Sequence, residues 1–327
     1  MEVTQEPSSP AVKPSAARGV QRVLDKLRAS VEAKNFYEAH QMYRTLYFRY
    51  VAQRKYDDVL ALLYDGALTM LEHEQYSSGA DLGLLIIQTL EKGGNEIEST
   101  EQWIKRLTEL IGKIKPTSVD RETLLEKAMK WSGTLVSSPT GHPLMHKLYA
   151  QILHREGDLT HARQHFAHAK DGTSCGFLLI EISRTKGFAS EIDLFVAHIV
   201  LQQLAMKETV TAADTFTTYC KFHTSIACTD PPFGLPLLNF LYFLLQLVEQ
   251  NNRKYATFKA LCELYKPSLE RDPSYEKYLQ MIGVKFFDGS RYEQRNLIFS
   301  DLLQQFFIDL EEDDLDEGTS LDYRDVD

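Results

Sequence analysis

Several things that carry chemistry in other proteins are missing from this sequence. Of its 327 residues only four are cysteine (Cys175, Cys220, Cys228 and Cys262), and no two of them form a CxxC pair. That leaves no zinc-knuckle spacing and no disulfide framework, and free thiols fit a reducing compartment. Glycine-rich phosphate loops are absent: neither GxxxxGK[ST] nor GxGxxG occurs. The strand–turn–helix signature GxSxG is absent as well. These gaps argue against a nucleotide-binding P-loop, a dinucleotide fold and a serine hydrolase. No stretch alternates apolar and polar residues over a useful strand length. The longest apolar run, Leu235 to Val248, is interrupted by Pro236, Asn239 and Gln246. It falls short of the roughly 20 residues that a helix needs to span a bilayer. The first residues are rich in Pro, Ser and Ala and lack an apolar core, so no secretory leader is expected.

What is present is a helical repeat. Between Lys34 and Arg49, the residues Phe36, Ala39, Met42, Tyr43, Leu46 and Tyr47 fall at steps of three and four, one stripe of an α-helix. The same grammar returns 20 residues later at Lys55-Tyr56-Asp57-Asp58-Val59, and again at Gln75-Tyr76-Ser77-Ser78-Gly79-Ala80. A fainter copy reads Asp158-Leu159-Thr160-His161-Ala162. A period of 20 is one helix and a tight turn, and two periods make a hairpin of tetratricopeptide-like size. The expected fold is all-α, an α-solenoid of about 14 to 15 helices in two halves.

The expected organisation has four parts. Residues 1–18 read as a disordered start, 19–140 as one half of the solenoid and 141–308 as the other, joined near Gly141. Residues 309–327 read as a disordered acidic tail. An amphipathic helix is expected over Leu297 to Ile308. Ser99-Thr100-Glu101-Gln102 has the spacing of a capping box, Gly93-Gly94 that of a helix end, and Asp272-Pro273 that of a helix start.

Charge is uneven. Asp309 to Asp327 carries ten acids against Arg324, a balance of −9, so nearly all of the net −10 sits there. Arg18 to Lys55 carries nine basic residues against three acids, a balance of +6. The acidic whole argues against nucleic acid. The basic face formed by Arg22, Lys26, Arg28, Arg44 and Arg49 suits an acidic protein partner. Histidines offer the one metal-like pattern: His161, His165 and His168 share a helical face, with His154 one helix earlier. No HExxH motif, paired cysteine or spaced carboxylate supports zinc, so they are read as structural. No catalytic residue, metal or cofactor is expected. The run Leu237 to Leu245 is apolar all round, which fits either core packing or a groove for a partner.

Several segments together resemble one known family. Gly19-Val20-Gln21-Arg22-Val23 and the following stretch to Tyr50 are similar to the start of the Golgi-to-ER traffic protein four family. Gly141-His142-Pro143, Asp193-Leu194-Phe195-Val196-Ala197, Pro231-Pro232-Phe233 with Pro236-Leu237-Leu238-Asn239-Phe240, and Pro267-Ser268-Leu269 with Arg271-Asp272-Pro273 resemble its later landmarks. The similarity runs from about Gly19 to Phe287.

The resemblance implies a cytosolic scaffold without enzymatic activity, acting in post-translational targeting of tail-anchored membrane proteins to the endoplasmic reticulum. Its implied partners are the targeting ATPase, a ubiquitin-like adaptor and a BAG-family holdase. Carried onto this chain, Arg22, Lys26, Arg28, Tyr37, Arg44, Tyr47 and Arg49 fall on the ATPase side. Phe233, Leu237, Phe240, Tyr242 and Phe243 fall on the adaptor or holdase side. The alternative, a helical-repeat subunit of a proteasome-lid or signalosome-like complex, expects a C-terminal winged helix with strands, and none is legible here.

Overall fold

The structure is a computed structural model, and it describes residues 14–94, 97, 100–226, 228, 230–250 and 254–287. The tail 309–327, the amphipathic stretch 297–308, the serine of the expected capping box and residues 1–13 lie outside the described residues. Among those described there are fifteen α-helices and no strand. None of these helices is long and apolar enough to cross a membrane.

The first four helices are α1 (Pro14–Glu32), α2 (Phe36–Ala52), α3 (Tyr56–Glu72) and α4 (Tyr76–Gly93). They start 20 residues apart from α2 onward because three turns repeat almost atom for atom. Lys34, Arg54 and Glu74 each take positive φ, between +55° and +59°. The next N–H in each turn bonds five residues back, Asn35 to Ser30, Lys55 to Tyr50 and Gln75 to Met70. That is a Schellman closure. The carbonyl of the same residue then accepts from Ala39, Val59 or Gly79, so one residue ends a helix and starts the next. The chain thus reverses without a loop. α1 begins at Pro14, earlier than the Gly19 expected from the sequence.

The chain continues as α5 (Thr100–Lys113), α6 (Val119–Thr134), α7 (Pro143–Glu156), α8 (Leu159–His168) and α9 (Gly172–Lys186). Gly94, at φ +48°, follows α4 where the glycine pair called for a stop. The faint fourth repeat uses the same turn: Gly157 has φ +85°, Asp158 N–H bonds Leu153 O, and Asp158 O accepts from Ala162. The remaining helices are α10 (Ile192–Ala205), α11 (Thr209–Phe222), α12 (Pro236–Glu249), α13 (Tyr255–Leu264), α14 (Lys266–Leu269) and α15 (Ser274–Phe287). The single turn α14 stands where only a bend was expected. A further copy of the repeat turn joins α10 to α11, at Lys207 (φ +66°) and Glu208, and the sequence reading missed it.

The chain packs as two compact units, Met1–Ile192 with Ala213–His223, and Asp193–Ala212 with Thr224–Asp327. The division therefore falls at Ile192 and not at the Gly141 joint expected from composition. Gly141 sits instead within the first unit, buried, where α6 turns into α7. In that unit the helices from α1 to α6 and from α7 to α9 pack each on the next, and α2 also meets α4, α3 meets α5, α4 meets α6 and α5 meets α7. This two-step stacking is that of an α-solenoid. Its core is aliphatic, with Leu46, Leu60, Leu63, Met70, Ile86 and Ile104 out of solvent. Small residues set the helix spacing: a Cβ on Gly66 would lie 2.5 Å from the Tyr43 ring, so α2 and α3 touch there.

In the second unit Asp193 is fully buried and ties α10 to the turn between α14 and α15. Arg271 donates to its two oxygens at 2.6 and 3.0 Å. Tyr275 Oη donates to Leu194 O on the same helix at 3.3 Å. Asp272 accepts the N–H of Ser274, starting α15 as its sequence position called for. Hydrogen bonds from His198 and Ser274 hold the Asp272 carboxyl down at about 2.

Candidate functional site

The basic end of the first unit is built on α1, α2 and α4. Arg22, Lys26 and Arg28 lie exposed on α1. Arg28 has a 4.0 Å ion pair with Asp25 one turn away, both side chains largely in solvent. Such a pair contributes little, so these three side chains have no evident duty to the fold. Arg49 is exposed near the end of α2.

Arg44 differs from them. Its Nη1 donates to both oxygens of Asp81 on α4, at 3.2 and 3.1 Å. His40, one turn earlier on α2, reaches Asp81 Oδ2 at 2.8 Å. The His40 hydrogen bond and the Arg44 guanidinium hold the Asp81 carboxyl below the usual carboxylate range. Arg44 is therefore a clamp between α2 and α4 whose edge remains half-exposed.

The two tyrosines expected on this face part ways. Tyr37 is 78% exposed. Tyr47 is 1% exposed and belongs to the core. Its hydroxyl donates to Gln88 Oε1 at 3.3 Å and accepts from Lys92 Nζ at 3.0 Å. A residue so enclosed offers a partner no atom, and its helical register explains why. The aromatic stripe of α2 points inward at Tyr43 and Tyr47. The outer stripe instead carries Tyr37, Gln41, Thr45 and Phe48. Phe48, 61% exposed, was not singled out from the sequence. Its spacing of 11 residues from Tyr37 was the available signal.

In the second unit the expected adaptor-side residues are mostly core. Phe233, Leu237 and Phe240 are buried. Phe233 is pinned by Asn239, whose amide accepts its N–H at 2.8 Å and donates to its carbonyl at 2.9 Å. Phe240 packs on Tyr265, ring centres 5.8 Å apart. The apolar run of α12 is thus buried on nearly every side, the core alternative of the two that the sequence allowed. Tyr242 is half-buried, and Phe243, 42% exposed, stands at 84° to it with ring centres 5.7 Å apart. Of the five residues these two alone reach the surface.

The histidine pattern also resolves differently. His154 pairs with Glu181 at 2.7 Å and His161 with Asp158 at 2.7 Å, both in solvent. His165 and His168 turn inward and meet His146 of α7. His146 Nε2 lies 3.0 Å from Thr140 O, and its Nδ1 lies 2.9 Å from His165 Nδ1. The carbonyl can only accept, so His146 carries its proton on Nε2 and His165 donates to it from Nδ1. His168 stacks on His146 at 5.1 Å. Burial pushes all three below the ordinary histidine value, His146 to about 3. Among the described residues no group of three or more His, Cys, Asp or Glu is arranged to hold a metal ion.

One cleft, of about 640 Å³, opens between α13, α14 and α15. It lies in the second unit and contains none of the residues expected there.

Comparison with known proteins agrees with this architecture. Residues 53–307 match the family model described as Golgi to ER traffic protein 4. The chain is 43% identical over 302 residues to the Golgi to ER traffic protein 4 homolog of Xenopus tropicalis, covering 92% of this chain and 91% of that one. It is 46% identical over 269 residues to the Golgi to ER traffic protein 4 homolog of Homo sapiens, covering 82% and 80%. A crystal structure of C. therm. Get4 superposes with a TM-score of 0.73 at 20% identity, covering 94% of this chain and 99% of that one, which is a likeness of fold.

Proposed function

The chain belongs to the Golgi to ER traffic protein 4 family, and on that footing we propose that it is a non-enzymatic scaffold for post-translational delivery of tail-anchored membrane proteins to the endoplasmic reticulum. It works in the cytosol, bridging the targeting ATPase to a ubiquitin-like adaptor and a BAG-family holdase. The first unit takes the ATPase. The observation that supports this most is the exposure of Arg22 and Lys26, one turn apart on the same face of α1, with Arg28 exposed on another side of that helix. Tyr37 and Phe48 on the neighbouring helix add flat apolar area of the kind that anchors interfaces. Arg49 is a further exposed basic residue on α2, whereas Arg44 and Tyr47 tie that helix to α4.

The second unit takes the adaptor and holdase. Tyr242 and Phe243 are the surface representatives of the α12 run. Leu237, Phe240 and Phe233 hold that helix in place, so their effect on a partner is indirect.

The test is binding of the purified ATPase to the full chain at two ionic strengths. Wild-type association should weaken as salt rises, because rim charges act over about 8–10 Å at physiological salt. Arg22→Glu with Lys26→Glu should weaken binding by about tenfold or more and flatten that salt dependence. Unchanged affinity and salt slope in the double variant would remove α1 from the interface. Loss of adaptor binding in the same variant would break the assignment of partners to units.

A further inference from the structure

Two phenylalanines of the first unit meet at its surface. Phe177 of α9 and Phe222 of α11 lie with ring centres 5.1 Å apart, yet they remain 48% and 49% exposed. Exposed apolar residues scattered singly are ordinary, whereas two in contact from different helices make a patch. The helices are joined beneath the rings by other contacts. A Cβ on Gly176 would lie 2.8 Å from Thr218, so α9 and α11 touch there. Ser183 Oγ and His223 Nε2 share a 2.7 Å hydrogen bond out of solvent. The two rings therefore stand on a base that does not depend on them.

The charge around the pair is positive. Lys221 Nζ lies 5.3 Å from the centre of the Phe222 ring. Arg184 is exposed two turns beyond Phe177 on the same face of α9. Burial, and then the positive charge of Arg184, push His223 below the ordinary histidine value, which sets Arg184 near that end of α11. Among the described residues no carboxylate pairs with Lys221 or Arg184. Glu181, the acid between Phe177 and Arg184 on that face, is engaged by His154 at 2.7 Å.

We propose that Phe177 and Phe222 anchor a docking site for an acidic protein segment that carries at least one large apolar side chain. The apolar side chain covers the two rings, and carboxylates of the segment meet Lys221 and Arg184. Interfaces of this kind draw most of their binding from a covered aromatic anchor, while charges at the rim set orientation and choice of partner. The Lys221 contact with the Phe222 ring also strengthens once water is displaced from it. Nucleic acid fits less well, because the chain carries a net charge of −10 and two cations neutralise too few phosphates. The site uses none of the α1 and α2 residues given to the ATPase, so it stands or falls apart from that assignment.

The test uses the full chain and a displayed library of random peptides about sixteen residues long, enough for four helical turns. Peptides held by the wild type and released by Phe177→Ser with Phe222→Ser should carry net negative charge and at least one Phe, Leu or Trp. A synthetic peptide from that set should bind the double variant about tenfold or more weakly, and its affinity for the wild type should fall as salt rises. Arg184→Glu with Lys221→Glu, two changes at exposed positions, should weaken the same peptide to a similar degree. Arg22→Glu with Lys26→Glu should leave it unaffected. Thermal unfolding of each variant within a few degrees of the wild type separates lost docking from lost fold. An empty set, or one of neutral or basic peptides, would overturn the proposal. So would full affinity for the Arg184→Glu, Lys221→Glu variant, or a single-stranded oligonucleotide that binds the wild type more tightly than the peptide and is lost in the same variants.

Discussion

Arg44 on α2 and Asp81 on α4 are joined by one guanidinium nitrogen, Nη1, placed 3.2 and 3.1 Å from the two carboxylate oxygens, with His40 2.8 Å from the second of them. The clamp spans two steps of the solenoid. A basic residue that looked free for a partner is therefore partly structural.

Charge reversal separates the two kinds of arginine. Arg44→Glu sets a second carboxylate beside Asp81 and should lower stability by roughly 1 kcal/mol, the upper range for a part-exposed pair. Arg22→Glu should leave stability within about 0.5 kcal/mol, as for an exposed site without partners. Urea midpoints of the two variants measure this. Equal midpoints would mean that the clamp contributes nothing.

Tyr37 and Tyr47 should behave as opposites. Tyr47→Ala removes a buried ring and should cost about 3–5 kcal/mol. Tyr47→Phe loses only the contacts to Gln88 and Lys92 and should cost about 1 kcal/mol. Tyr37→Ala should leave the unfolding midpoint unchanged and act on ATPase binding alone. A stability loss at Tyr37 comparable to that at Tyr47 would contradict the assigned register of α2.

The repeat turns carry backbone strain at non-glycine residues. Arg54→Gly relieves the positive φ of Arg54 and should stabilise by up to about 1 kcal/mol after the entropy of glycine is counted. Gly157→Ala introduces the same strain into the turn between α7 and α8 and should destabilise by about 1–2 kcal/mol. Thermal unfolding of the pair gives opposite signs if the turns are equivalent.

The buried histidines should make the first unit acid-sensitive. His146, His165 and His168 all have folded values depressed by burial. The unfolded chain then binds protons first, so stability is full above about pH 6.5 and is lost as pH falls toward 3. His146 contributes up to about 1.4 kcal/mol per pH unit across that window, and the lowered His165 and His168 act in the same direction. His146→Leu should lower stability at pH 7, because Thr140 O and His165 lose their partner, yet flatten the decline between pH 6.5 and 4.5. A slope equal to wild type in the variant would show that His146 takes no proton on unfolding.

Much of this was legible in the residues themselves. The 20-residue period determined α2, α3 and α4 and their turns, because each turn is local and its bonds close within nine residues of sequence. The stop at Gly94 and the start at Asp272 were set the same way. Net charge by segment located the exposed basic residues of α1 for the same reason, since exposed charges need no partner to be recognised.

Pairings over long separations were decided only by the tertiary structure. Tyr43 and Tyr47 share the aromatic grammar of Tyr37, and only packing against α3 and α4 shows which of them are core. Arg44 and Arg22 are alike as letters, and Asp81, 37 residues on from Arg44, distinguishes them. Asp193 and Arg271 sit in two segments that resemble family landmarks, but nothing local links them. Their two hydrogen bonds join residues 78 apart, and the burial of Asp193 makes that pairing obligatory.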